Sequence, residues 1–151
     1  MLALIAALSV LLPIFLITAP SAQATDTTVS TPTDAQAMAW TPKVSPFSGG
    51  QERVHRNVST ETRNRLLANC GLLYLCVAAG EGDGQHSVFE LYYCTERTLS
   101  NFLGAGAVTN NQTGKSARLL NQDRSVYMTV KPNRTPTRVP SWDTVYYIQV
   151  C

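Results

Sequence analysis

Cys70, Cys76, Cys94 and Cys151 are the residues with the most chemical potential, and they are all the cysteines of this chain. Four thiols can make two disulfides, a metal site or a nucleophile. Metal ligation wants closely spaced thiols supported by histidines. The chain has no Cys-x-x-Cys, and its only histidines are His55 and His86. No metal site is expected. Acid–base work would draw on Glu81, Asp83, Glu90 or Glu96, with His86 as the base. No nucleophile–base pair stands at motif spacing, and Gly-x-Ser-x-Gly, His-Glu-x-x-His and the phosphate loop do not occur. The chain is therefore expected not to be an enzyme and to need no cofactor. Two disulfides are the expected use of the cysteines, which points to an oxidising compartment.

The start of the sequence agrees with export. Residues 2–17 are almost unbroken apolar, no charge precedes Asp26, and Ala22-Gln23-Ala24 offers the small-x-small pattern of a cleavage site. The apolar run is shorter than the ~20 residues of a bilayer span, and Pro13 interrupts it. A signal peptide over 1–24 is expected, with a secreted, extracellular product and no membrane attachment after cleavage. The net charge of +2 is too small to suggest nucleic acid.

These cysteines must be positioned by the elements around them. Residues 25–58 are rich in Thr, Ser and Pro, and are expected to form a disordered leader. Over 59–69 a short helix is expected, with Ser59 as its cap, Glu61 in the first turn, and Thr62, Leu66 and Asn69 on one face. From 70 to 151 the pattern is that of a β domain. Residues 72–78 are an apolar run ending at Gly80-Glu81-Gly82-Asp83-Gly84, whose glycines allow positive-φ turns. Residues 87–94 alternate, with Phe89, Leu91 and Tyr93 on one face. Further strands are expected at 117–120, at 125–130 with Val126, Met128 and Val130 inward, and at 144–150 with Tyr146, Ile148 and Val150 on the apolar face. Pro132, Pro136 and Pro140 exclude a central strand between the last two. About six short strands at turn-marked intervals imply a Greek-key sandwich or barrel.

Four cysteines allow three pairings. Joining Cys70 to Cys76 requires a turn near Gly71, because a straight strand would hold them ~20 Å apart. Cys94 and Cys151 lie on matching mixed faces, so a bridge between them is open to neighbouring strands.

Cys70-Gly-Leu-Leu-Tyr-Leu-Cys76, the Gly-rich turn, Phe89 with Cys94, Leu99-Ser-Asn-Phe, and Asn110-Asn-Gln-Thr-Gly114 together resemble the peptidase inhibitor I36 family. The resemblance covers about 69–151. It implies a secreted β-sandwich of βγ-crystallin-like, Greek-key type, a local Cys70–Cys76 disulfide, and inhibition of an extracellular protease, expected to be a metalloproteinase. The chain has no second closely spaced cysteine pair of the kind that carries the inhibitory bond in that family. The expected bridges are Cys70–Cys76, from the resemblance, and Cys94–Cys151, from the matching strand faces. Asn110-Asn111 also resembles the start of a crystallin calcium motif, but Gly114-Lys115 replaces its hydroxyls. A turn with side chains bonded to backbone is expected there, not a calcium site.

Inhibition by substrate mimicry needs a loop held rigid by its scaffold. The candidates are 80–86 and 131–142. The latter is Pro-stiffened and carries Arg134, Arg138 and Trp142, residue types favoured as interface anchors. The competing expectation for Trp142 is burial in the core. The alternative function is a non-inhibitory binding or antimicrobial module acting at cell surfaces, through a face lined by Tyr92, Tyr93, Tyr127, Tyr146 and Tyr147. A monomer is expected in either case.

Overall fold

The structure is a computed structural model describing residues 40–151. The expected signal peptide (1–24) and the first part of the expected leader (25–39) lie outside the described residues. In chain order the elements are β1 (Lys43–Ser45), β2 (Arg53–Val58), α1 (Thr60–Ala68), β3 (Leu75–Gly80), β4 (His86–Leu91) and β5 (Glu96–Ser100). They continue with β6 (Gly106–Asn110), β7 (Ala117–Asn121), β8 (Val126–Val130), β9 (Thr137–Val139) and β10 (Val145–Gln149).

Two five-stranded antiparallel sheets result, in the orders β1-β5-β10-β7-β8 and β2-β4-β3-β6-β9. Leu75, Val77, Phe89, Leu91 and Val108 of the second sheet face Leu99, Leu119, Val130 and Ile148 of the first across one core. Of the apolar run expected at 72–78, the part from Leu75 on forms β3, which is buried on both faces, while Leu72 and Leu73 precede the strand and are exposed. Leu75, Val77 and Ala79 enter the core, while Cys76 and Ala78 lie under α1. A strand covered on both sides reads as continuous hydrophobicity, not alternation. The alternation read in β4 is confirmed for Phe89 and Leu91.

Helix α1 begins as expected. The Ser59 Oγ accepts a hydrogen bond from the Thr62 amide at 3.2 Å, and Glu61 occupies the first turn. The residue it buries is Leu67, next in sequence to the expected Leu66, against Cys70, Cys76, Ala78 and Val88.

Three expectations are corrected. The segment 25–58 was expected to be a disordered leader, yet β1 and β2 are strands paired with β5 and β4. Their order comes from ladder hydrogen bonds and from Val44 in the core, which local composition does not register. Val126 was expected inward and is 53% exposed, because the β7–β8 register slips between Leu119 and Leu120. Tyr146 was expected on the apolar face and is exposed. A register irregularity between Val145 and Tyr147 shifts the alternation, so Val145 and Ile148 both point inward.

Candidate functional site

Register decides which loops share an end of the sandwich. Leu75 of β3 pairs with Leu91 of β4 and Asn110 of β6, so the loops beyond those residues lie together. The end of β8 joins them, because the Asn110 side chain donates to the carbonyls of Val130 and Lys115, each at 2.9 Å. Three segments therefore meet here: the disulfide loop 70–76, the turn 110–116 and the loop 131–136.

The Asn110-Asn111 pair braces all three. Besides its two side-chain donations, Asn110 accepts the Gln112 amide on its Oδ1 and the Asn133 amide on its carbonyl. Asn111 donates its amide to the Tyr74 carbonyl and accepts the Leu73 amide on its own. Its side chain reaches the Cys70 carbonyl at 2.7 Å. The expectation of a turn whose side chains bond backbone is met. With a net worth of about 1 kcal/mol per bond, these bonds hold loops that lack a ladder of their own.

Both disulfides lie at this end. Cys70–Cys76 closes the first loop and is buried beneath α1. Cys94–Cys151 joins the start of β5 to the end of β10. Gln149 pairs with Glu96, and continuing that antiparallel register brings Cys151 opposite Cys94. The neighbouring strands are thus β5 and β10. Cys94 itself has left β4, on whose face it had been read.

A buried ion pair completes the frame. Arg97 Nη2 donates to Glu52 at 2.6 Å, with side-chain exposures of 1% and 0%. Arg97 also donates to the Pro46 carbonyl, and the Glu52 carboxylate accepts the amides of Ser48, Tyr92 and Tyr93. One carboxylate thus fixes the chain between β1 and β2 to the chain leaving β4.

Two leucines stand exposed on the rim of this frame. Leu72 is 61% exposed and Leu73 is 42% exposed, and Leu73 has φ of +72°. That conformation costs a branched residue about 1–2 kcal/mol. Leu73 borders a hollow of about 290 Å³ with Tyr92, Tyr93 and Gln112. Leu72 borders another of about 220 Å³ with Gln112, Asn133 and Arg134.

The residues expected to anchor a partner do not converge. Arg134 is exposed beside Leu72 at this end. Arg138 is exposed on edge strand β9, facing a different hollow with Arg63 of α1. Trp142 is fully buried, and its expected role as a surface anchor is corrected to a core role. Its Nε1 donates to the Ala78 carbonyl at 3.1 Å, and its ring packs edge-on against Phe102. A Cβ at Gly106 would collide with both the indole and that carbonyl, which explains the glycine.

At the opposite end, the 80–86 turn is also engaged with the body of the protein. The Glu81 carboxylate is buried and accepts from the Asn57 amide and the Ser87 hydroxyl. The Trp40 ring lies against Gly82. Glu90 pairs with His55 at 3.2 Å and Glu96 with Arg124 at 2.6 Å. His86 Nε2 is 3.1 Å from the Thr60 hydroxyl.

Burial, aided by the Arg63 charge, holds the His86 imidazole below its ordinary 6.5, against the opposing pull of Glu81 and Asp83. Below pH 6.5 the unfolded chain protonates this histidine first. Stability therefore falls as the pH drops from about 6.5 to the folded-state value, then levels off. We expect an NMR titration of His86 to give a midpoint below 6.5, and His86→Gln to flatten the loss between pH 7 and 5. A midpoint at or above 6.5 would refute the burial argument.

Among the described residues no cluster of His, Cys, Asp and Glu is arranged to hold a metal ion. The chain matches no protein-family model, no curated protein and no solved structure.

Proposed function

We propose that this chain is a secreted proteinaceous peptidase inhibitor of the I36 type, acting by a rigid loop surface that enters a protease cleft. The observation that carries the reading is the concentration of constraint at one end of the sandwich. Both disulfides, the Glu52–Arg97 pair and the Asn110-Asn111 brace all lie behind one solvent-exposed rim. A surface ordered before it binds loses less entropy on association, and so retains more of its contact energy as affinity. An inhibitor must also resist being processed as a substrate, and a loop that cannot relax into an extended chain does so. The two-sheet architecture is compatible with the βγ-crystallin-like, Greek-key type that the resemblance implies. Two disulfides are compatible with export, as is the absence of any membrane-spanning helix among the described residues.

The test is a titration of the purified, oxidised chain against thermolysin-like metalloproteinases, with trypsin as the serine-protease control. Stoichiometric loss of protease activity is the expected result. A folded, oxidised protein that inhibits neither class would overturn the reading. It would favour the alternative, a non-inhibitory module binding through its tyrosines. That alternative has one observation behind it, an open cleft of about 710 Å³ lined in part by Tyr127 and Tyr146.

A further inference from the structure

Among the described residues, four non-glycine residues have positive φ: Asn57, Leu73, Asn101 and Arg124. Asparagine tolerates this region, so Asn57 and Asn101 are conformationally ordinary. Arg124 is explained by its side chain, which makes two hydrogen bonds to Glu96 and stacks over the Tyr147 ring at 4.4 Å. Leu73 has neither excuse. Its side chain is partly in solvent, next to an even more exposed leucine. Glycine or asparagine would fit the backbone better at that position, so folding does not account for the leucine.

The surroundings hold the strained residue in place from both sides. The Leu73 amide donates to the Asn111 carbonyl, and the Asn111 amide donates to the Tyr74 carbonyl. The disulfide closes the loop behind them. Two consecutive leucines are thereby presented as a fixed apolar ridge, with a hollow beside each. Each hollow also carries one cationic side chain in its lining, Lys115 beside Leu73 and Arg134 beside Leu72.

Resting on the inhibitor reading, we propose that Leu72 and Leu73 are the residues that enter the partner's specificity pocket. The partner is then a protease whose pocket is apolar, of the class that selects a large aliphatic side chain. An enzyme selecting a basic residue would instead be engaged through Arg134 or Lys115.

Leu73→Asn tests this directly, because asparagine suits the backbone and removes the apolar contact. Inhibition of thermolysin is expected to weaken by about 100-fold or more, while the melting temperature stays the same or rises. Leu72→Asn, at a position without backbone strain, is expected to weaken inhibition in the same direction. Arg134→Ala is expected to change it by less than about threefold. If the unaltered chain inhibits and Leu73→Asn inhibits equally well, the ridge is not the anchor, although the inhibitor reading survives. If trypsin is the enzyme inhibited and Arg134→Ala or Lys115→Ala abolishes this, the apolar pocket is wrong, again without harm to that reading. If the unaltered chain inhibits neither enzyme, the reading fails and the ridge proposal falls with it.

Discussion

Arg97→Met is expected to destabilise the protein by about 3–5 kcal/mol, because it leaves the Glu52 carboxylate buried without its counter-charge. Many buried pairs can be exchanged for apolar residues at little cost, but this one has further duties. The carboxylate is also the acceptor for the amides of Ser48, Tyr92 and Tyr93. Replacing both partners by hydrophobes would strand those donors. Glu52→Gln combined with Arg97→Met should therefore recover part of the loss, since a neutral amide oxygen still accepts while no lone charge stays buried. Chemical denaturation at constant m-value measures both variants. A loss below about 1 kcal/mol for Arg97→Met would show that the pair is dispensable and the carboxylate solvated. The consequence reaches the rim, because Tyr92 and Tyr93 form a wall of the hollow beside Leu73.

Arg97 also marks where the sequence is hard to read. Strand β5 alternates with Arg97 and Leu99 inward, so a charge occupies a core-facing position and hides the pattern. Nothing local says that Glu52, far along the chain, will meet it. Strand β2 has the same difficulty in another form. Its apolar content is small, and its conformation is set by pairing with β4, a contact made across α1 and β3. By contrast, β3 and β4 are legible because their burial is written into their own side chains. The Ser59 cap is legible because capping is decided within one turn.

The candidate site divides along the same line. The Asn110-Asn111 turn was readable, because short amide side chains bond nearby backbone wherever they stand. Its role as a brace was not, since its partners Cys70, Leu73 and Asn133 are remote in sequence. Trp142 reads as either an anchor or a core residue from composition alone, and only the space above Gly106 decides it. Leu73 gives no sign of its positive φ, because leucine is not a residue from which a left-handed turn is inferred.

The two disulfides are expected to separate stability from binding. Cys94→Ser with Cys151→Ser removes a bridge of sequence separation 57, worth about 4 kcal/mol in the chain-entropy model. It also releases the end of β10, which pairs with β5 on one side and β7 on the other. Cys70→Ser with Cys76→Ser removes a bridge of separation 6, worth only about 2 kcal/mol. Stability alone would rank the long bridge first in every assay. Function should reverse the ranking, because the short bridge closes the loop that presents Leu72 and Leu73, whereas the long one only borders the hollow beside Leu73 through Cys94. Denaturant midpoints and thermolysin titrations of the same two variants, at a temperature where both are folded, make the comparison. The long-bridge variant is expected to keep its affinity within about threefold, and the short-bridge variant to lose about tenfold or more, as the loop regains the entropy that binding must remove. If affinity instead follows stability across both variants, the ridge has no rigidity of its own, and the inhibitory surface must be sought elsewhere on the domain.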